Sequence, residues 1–380
     1  MNLLRQKIER EIHAHGPIPF SRYMELCLYD PELGYYSRHA EQFGKAGDFY
    51  TASDVHAVFG RLLARQFDEM WRVLGSPEHI EVIELGAGRG LFAQDALGWA
   101  ETRFPDFFRA LRYVLVESSQ VLRERINETL KSHIDSRKAE LANCYPGEGS
   151  APDVPTIVFA NEFFDALPVE IISTAGSLRI DAIDGRFVET WVAPSPEELE
   201  FLDSLSVHPE PGERIEASLI AEQFMERVAQ SIQRGFILAI DYGYSREEQL
   251  AGRHRGTMKA IRQHSVSSNP YEAPGEQDIT VDVNFTALAV AADKHGMYTR
   301  KLVTQSQFLM GIGQTNQFAD AFAECRLPQE RAKVALQLKH LVTPAGMGES
   351  FHVLVAGKGV EQERMESLSG LNFGRTRIPG

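Results

Sequence analysis

Residues 81–90 read "EVIELGAGRG". Three glycines, Gly86, Gly88 and Gly90, alternate with other residues directly after an apolar run, and Glu84 stands two positions before the first. Glycine takes positive φ without steric cost and lets a ligand lie against the backbone. Between a strand and a helix, that is where nucleotide-type cofactors rest. A dinucleotide fingerprint needs G-x-G-x-x-G, with a pyrophosphate on the helix N-terminus. This chain has Gly86-x-Gly88-x-Gly90, then Leu91. A carboxylate at Glu84 repels a pyrophosphate and suits a cation. Glu117 follows Gly86 by 31 residues and closes the next strand-like run, where a carboxylate can accept from both hydroxyls of a ribose. The two acids and the turn favour S-adenosylmethionine, a sulfonium with no phosphate, over NAD. Ala87 in the turn and Ser118 beside Glu117 complete this cofactor-binding set. A tight strand–helix turn that binds nothing is the plain alternative.

"NEFFDALP", 161–168, follows a third strand. Asn161 and Glu162 would face the methyl group and touch the cofactor. Asp165 comes three residues after Glu162, which on a helical turn puts both carboxylates on one side. Paired acids suit an arginine acceptor: they bind a guanidinium bidentately and aim one nitrogen at the methyl carbon. Alternatively, Asp165 caps the turn and only Glu162 meets ligand. In "KAGDFYTAS", Asp48 could hold a methionine amino group and Phe49 could face a sulfonium; the bland reading is an entry loop whose Ser53 caps the next helix. "RGTMKAIRQH" offers Arg255, Lys259, Arg262 and His264, and His264 is a candidate general base, although a lone histidine is more often structural. Asp278 and Asp282 flank "ITV", and Asp241 ends another strand; each lines a cleft or serves packing.

These residues need a scaffold. Apolar strand-like runs at 80–85, 112–119, 156–160, 235–241, 297–303 and 350–357 alternate with helical spacing, as in "VFGRLLARQFDEMWRVLG". Early strands end in acids or amides. That is a wound α/β sheet whose strand ends face a ligand. Residues 178–196 alternate around Asp184-Gly185 and read as a hairpin. Residues 254–278 read as a long polar loop, and 305–345 as helical. The first residues form an amphipathic helix on Leu3, Leu4, Ile8 and Ile12 instead of a leader.

The chain has 380 residues, 43% hydrophobic and 24% charged, with a formal net charge of −14. That balance disfavours a nucleic-acid partner, which needs a basic surface. Cys27, Cys144 and Cys325 are far apart, so neither a metal site nor a disulfide framework is indicated. No run reaches the roughly 18 apolar residues of a membrane span. Cysteine usage and the absence of a leader give a cytoplasmic expectation.

The chain resembles the MidA-like methyltransferases. The resemblance runs in order through "GPIPFSRYMELCLYDPELGYYS" (16–37), "GKAGDFYTASDVHAVFG" (44–60), "VIELGAGRGLFAQDAL", "ANEFFDALPVE" (160–170), "LAIDYGY", "RGTMKAIRQH" (255–264), "DITVDVNFTAL" (278–288), "QFLMGIG" (307–313) and "MGESFHVLVAGKG" (347–359). The family more often has Ser-Pro-Glu after the threonine of "YTASD". The resemblance implies a class I methyltransferase fold, with seven mostly parallel strands, helices on both faces and an antiparallel last strand near 351–356. It implies a helical region and entry loop over 1–75, a core over 76–358 with insertions near 171–232, 245–282 and 305–345, and a flexible tail over 359–380. The family's mitochondrial member is known as a protein arginine methyltransferase. The implied reaction is direct displacement onto arginine, with a protein substrate, a respiratory-complex subunit among the candidates. It also makes the mitochondrial matrix an alternative compartment. A small-molecule O- or N-methyltransferase and a non-catalytic, cofactor-binding assembly protein are the competing functions.

Overall fold

The computed structural model describes residues 2–38, 57–147, 154–252, 256–262 and 265–373. By its contacts the chain divides into two compact units: Met1–Tyr50, Phe163–Glu226 and Tyr242–Ala291 make one, and Thr51–Glu162, Arg227–Asp241 and Ala292–Gly380 make the other.

The second unit holds the main sheet. Seven of its nine strands lie on one path, in chain order β1 (Ile80–Leu85), β2 (Leu111–Val116), β3 (Ala139–Ala142), β4 (Thr156–Asn161), β5 (Gly235–Tyr244), β6 (Tyr298–Thr299) and β7 (Phe351–Lys358). In space they run β6-β7-β5-β4-β1-β2-β3. The five strands β3, β2, β1, β4 and β5 are parallel neighbour to neighbour. This is the expected class I methyltransferase sheet. Every residue of β1 is buried, Glu81 and Glu84 included, as in a strand interior to a parallel sheet. The chain order reverses between β1, which neighbours β2, and β4, and ligands of open parallel sheets gather beyond the strand ends at such a point.

An aromatic cluster fixes two helices to this sheet. Phe92, on the helix Leu91–Arg103, lies 4.5 Å from the Phe159 ring of β4, and Phe67, on the helix Ala57–Val73, lies 5.6 Å from it. The helical spacing read over 58–71 is confirmed, since Val58, Phe59, Leu62, Leu63, Phe67, Met70 and Trp71 are all buried. The proposed cap at Ser53 lies outside the described residues. Three readings need correction here. The 297–303 run is two short strands, Tyr298–Thr299 and Val303–Thr304, each antiparallel to β7. β3 was not anticipated, because "AELA" is short and half polar. Of the expected tail, Gln362–Glu366 is helical and Met365, Leu368, Gly370 and Leu371 are buried. The Gly370 amide donates to Gln66 Oε1 at 3.0 Å, so this segment is built into the unit; residues 374–380 lie outside the described set.

The first unit packs the helices Leu3–His15 and Phe20–Tyr29 on an antiparallel sheet. Leu4, Ile8 and Ile12 are buried with Tyr23, Met24, Leu178 and Ile180, as the amphipathic pattern requires, although Leu3 is exposed. The hairpin Gly176–Ile183/Arg186–Val192 forms as read. Asp184 and Gly185 both take positive φ, 50° and 70°, which matches the twist a two-residue hairpin loop needs. The polar stretch 254–278 is not simply a loop: Lys259–Arg262 pairs with both Ser265–Ser267 and Asp278–Thr280.

Candidate active site

In the second unit the glycine turn is latched to the end of β2. The Gly86 and Ala87 amides donate to Val116 O at 2.9 and 3.2 Å. Gly86, Gly88 and Gly90 take φ of 66°, 56° and 74°, a region that side chains with a Cβ rarely enter. The last two glycines have different reasons. A Cβ on Gly90 would meet Ile126 and Leu130 at 3.4 Å, whereas one on Gly88 would meet nothing within 4 Å. Gly90 therefore serves helix packing, and no described residue fills the space over Gly88.

Glu117 bridges this turn and its own. Its Oε2 accepts from the Gly88 amide at 3.0 Å and its Oε1 from the Ser119 amide at 2.9 Å. Burial raises its carboxyl above the usual range, with those two amides opposing. Ser118 is exposed, and its carbonyl accepts from Arg123 Nη1 at 2.7 Å. Glu84 is buried and accepts from the Tyr113 hydroxyl at 2.8 Å. Burial pushes its carboxyl up to about 8; Tyr113 works against this, and the neighbouring Glu117 charge adds to it.

At the end of β4, Asn161 donates from Nδ2 to Glu162 Oε1 at 3.2 Å. The Asn161 Oδ1 is buried with no hydrogen-bond partner among the described residues. An orphaned buried acceptor costs about 1–3 kcal/mol, which a ligand's N–H would relieve. Glu162 takes φ of 50° while its amide donates to Ile240 O at 3.0 Å. Non-glycine residues held at positive φ cluster at functional sites. Two buried acids, an orphaned acceptor and open space over Gly88 fit a ligand with hydroxyl donors, an ammonium and a second positive charge. They do not fit a pyrophosphate.

Asp165 belongs to the first unit. Residues 162–168 form bends and a turn, not a helix, so the helical-turn premise that aligned Glu162 with Asp165 is corrected. Asp165 is buried, and its Oδ2 accepts from the Tyr242 hydroxyl and, at 2.8 Å, from Thr280 Oγ1. Lys259 pairs with Asp282 at 3.0 Å and Arg262 with Glu276 at 2.7 Å. Asp48, Phe49, Arg255 and His264 lie outside the described residues. Sequence reading missed Tyr113, whose signal was only its alternation with Glu84 across neighbouring strands, and Tyr242, which stands next to Asp241 in "IDYG".

A family model described as "Putative S-adenosyl-L-methionine-dependent methyltransferase" matches residues 62–303. A relative from Drosophila melanogaster, named protein arginine methyltransferase NDUFAF7 homolog, mitochondrial, is 28% identical over 97% of this chain and 88% of its own. The Homo sapiens protein arginine methyltransferase NDUFAF7, mitochondrial, is 27% identical over 90% of this chain and 80% of its own. A crystal structure from Burkholderia thailandensis, described as a "likely methyl transferase" bound to S-adenosyl-homocysteine, superposes with a TM-score of 0.81 at 28% identity, covering 98% of this chain and 94% of that one. The named relatives are mitochondrial, so the cytoplasmic expectation gains no support from them.

Proposed function

This chain belongs to the S-adenosyl-L-methionine-dependent methyltransferase family whose model it matches, and within that family we propose that it methylates arginine side chains of a protein. One observation carries the proposal: the match to relatives named as arginine methyltransferases continues through the acceptor-side segments as well as the cofactor half. The cofactor supplies a methyl group on a sulfonium. The Gly86–Gly90 turn, Ala87 and Ser118 would shape its seat, Glu117 would accept from its ribose, and Glu84, Asn161 and Glu162 would answer its positive charges. Glu162 would face the guanidinium, with His264, Asp48 and Phe49 as further candidates. The partner is a protein, with a respiratory-complex subunit as the family-implied case. The relatives' names favour the mitochondrial matrix as compartment. No described helix is long and apolar enough to cross a membrane.

The test is transfer from S-adenosyl-[methyl-³H]methionine into a cell extract separated into protein and metabolite fractions. Label in protein, recovered as methylated arginine after acid hydrolysis, is expected. Label confined to metabolites would move the small-molecule reading ahead. Cofactor binding without label in either fraction would favour the assembly protein.

Two consequences concern the cofactor seat. Glu117→Ala is expected to weaken cofactor binding by about 1.5–3 kcal/mol, the range for hydrogen bonds to a charged group. Glu117→Gln should cost less, because one acceptor oxygen remains. A cofactor lacking one ribose hydroxyl should lose more affinity for wild type than for the alanine variant; equal losses would remove Glu117 from the ribose. Glu84, pushed up to about 8 by burial, is mostly protonated at neutral pH. A cationic ligand favours the carboxylate, so binding should release a proton near pH 7 and tighten as pH rises toward 8. Without ligand the sign is opposite: Glu84's contribution to stability is full below its unfolded value of 4.5 and is lost as pH climbs through about 8. Calorimetry in buffers of different ionisation heat checks this, and Glu84→Gln should erase the buffer dependence.

A further inference from the structure

We propose that a cavity in the first unit binds a primary ammonium group, carried by a lysine of the protein substrate that serves recognition and is not itself methylated. The proposal rests on the protein-substrate reading above. Its centre is Glu216, in the three-residue strand Ile215–Ala217, which pairs antiparallel with Glu170–Ser173. Successive side chains of a strand point to opposite faces. Ile215 and Ala217 pack into an apolar cluster with Phe201, Leu202 and Leu205, so Glu216 stands on the other face. It is nonetheless buried, at 3% exposure. Its Oε1 accepts from the Thr257 and Met258 amides at 2.7 and 3.2 Å. Its Oε2 is buried with no hydrogen-bond partner among the described residues, and so is the Oγ of Ser218, two positions on. Both residues line one cavity. Leaving buried acceptors unmet costs free energy, and more when one of them is charged.

The rest of the lining fits a charged head on an apolar stem. Phe164, Val169, Val281 and Leu288 supply apolar walls. Ser218 and Asp282, which also line the cavity, are half-buried, and its space of about 290 Å³ includes the opening to solvent. Inside, a water-sized group has about 10 Å³ in which to place its centre, room for about one such group. A lysine ammonium is that compact, carries three donors and no acceptor, and ends a flexible four-carbon stem. A guanidinium is a planar fork of five donors and is too broad for that space, so the methylated arginine is not the occupant. The charges agree. Two cations of the surrounding segments are already engaged, Lys259 with Asp282 at 3.0 Å and Arg214 with both oxygens of Glu189 at 2.9 and 2.5 Å. Burial pushes the Glu216 carboxyl up to about 7; the Met258 and Thr257 amides oppose this, and the Asp282 charge adds to it. A cation in the cavity would restore the ionised form. The formal net charge of −14 also favours a basic partner.

The probe is Nα-acetyl-lysine N-methylamide, titrated into the full chain and followed by saturation-transfer NMR. Its norleucine and Nε-acetyl counterparts are the controls, and n-butylammonium represents a free amine. The lysine probe should bind about tenfold or more tightly than either control, the low end for a hydrogen bond to a charged group. E216Q keeps the oxygen that receives the two amides and removes the charge, so it should erase that advantage. S218A removes one hydroxyl and should weaken the lysine probe by roughly tenfold; it carries the test if E216Q does not fold. Equal binding of the lysine and norleucine probes, or wild-type binding by folded E216Q, overturns the pocket and leaves it to an ordered water. Binding of n-butylammonium with the lysine probe rejected overturns the polypeptide source. A second arm follows label from S-adenosyl-[methyl-³H]methionine into a cell extract before and after acetylation of its lysines, which leaves arginines intact. Protein label should fall severalfold on acetylation with wild type, and S218A should start lower and fall less. Protein label that acetylation leaves unchanged overturns the recognition role while the protein-substrate reading stands. No protein label from untreated extract overturns the protein-substrate reading, and the probes then decide the ammonium pocket by the same criteria.

Discussion

Gly88→Val is expected to abolish cofactor binding in a protein that still folds. The glycine sits at φ of 56°, and a Cβ there would touch no atom of the described residues within 4 Å. The added side chain therefore strains the backbone by roughly 1–2 kcal/mol without a clash against the described residues. It fills the space that the turn leaves open above its backbone, and its branched methyls would extend further into that space. Two controls separate occupancy from strain. Gly88→Ala adds a single carbon at the same φ, and should keep part of the affinity. Gly90→Ala has a comparable φ of 74°, but its Cβ points at Ile126 and Leu130, so it should lower melting temperature more than cofactor affinity. Calorimetric titration with S-adenosylmethionine reads all three. Unchanged affinity in folded Gly88→Val would mean that the cofactor sits elsewhere.

Much of this scaffold was legible because its signals are local. The parallel strands read as apolar runs, the helix over 58–71 by its spacing, and the hairpin by Asp184-Gly185. Each depends on a period or a turn that neighbouring residues define. The cofactor turn was legible for the same reason: three glycines and Glu84 lie within seven residues. What could not be read is what long-range packing decides. β3 is four residues long and earns its place only by pairing with β2. The 254–278 stretch looks like a loop because its strands are short and polar, and they exist through pairing with Asp278–Thr280. The tail looked mobile because its apolar residues are few, yet Gln66 and Glu69 bind its backbone from some 300 positions away. Asp165 shows the limit most clearly. Its three-residue distance from Glu162 suggested a shared face, but Glu162 turns left-handed at φ of 50°, and Asp165's partners are Tyr242 and Thr280, 77 and 115 residues on. No pattern within "NEFFDALP" contains that information.

Glu162→Gln is expected to separate cofactor binding from transfer. Glu162 closes β4's end, and its Oε1 accepts from Asn161 Nδ2. Glutamine keeps that acceptor and the side chain's shape, so the strained backbone at this position has no new reason to move. Only the charge is lost. An arginine acceptor is a cation with a pKa above about 12, and it must approach a second cation, the sulfonium. Without the Glu162 carboxylate the two positive groups face each other in a site of low dielectric, where repulsion is strong. Cofactor affinity should therefore stay within about threefold, well under 1 kcal/mol. Methyl transfer should fall by roughly 10²-fold or more, as when an electrostatic or orienting group is removed. Single-turnover transfer and calorimetry on the same preparation give both numbers. If affinity collapses together with activity, Glu162 serves the cofactor and the arginine reading loses its main chemical support. If neither changes, the acceptor carries no positive charge where it meets Glu162, and a neutral small molecule becomes the better substrate.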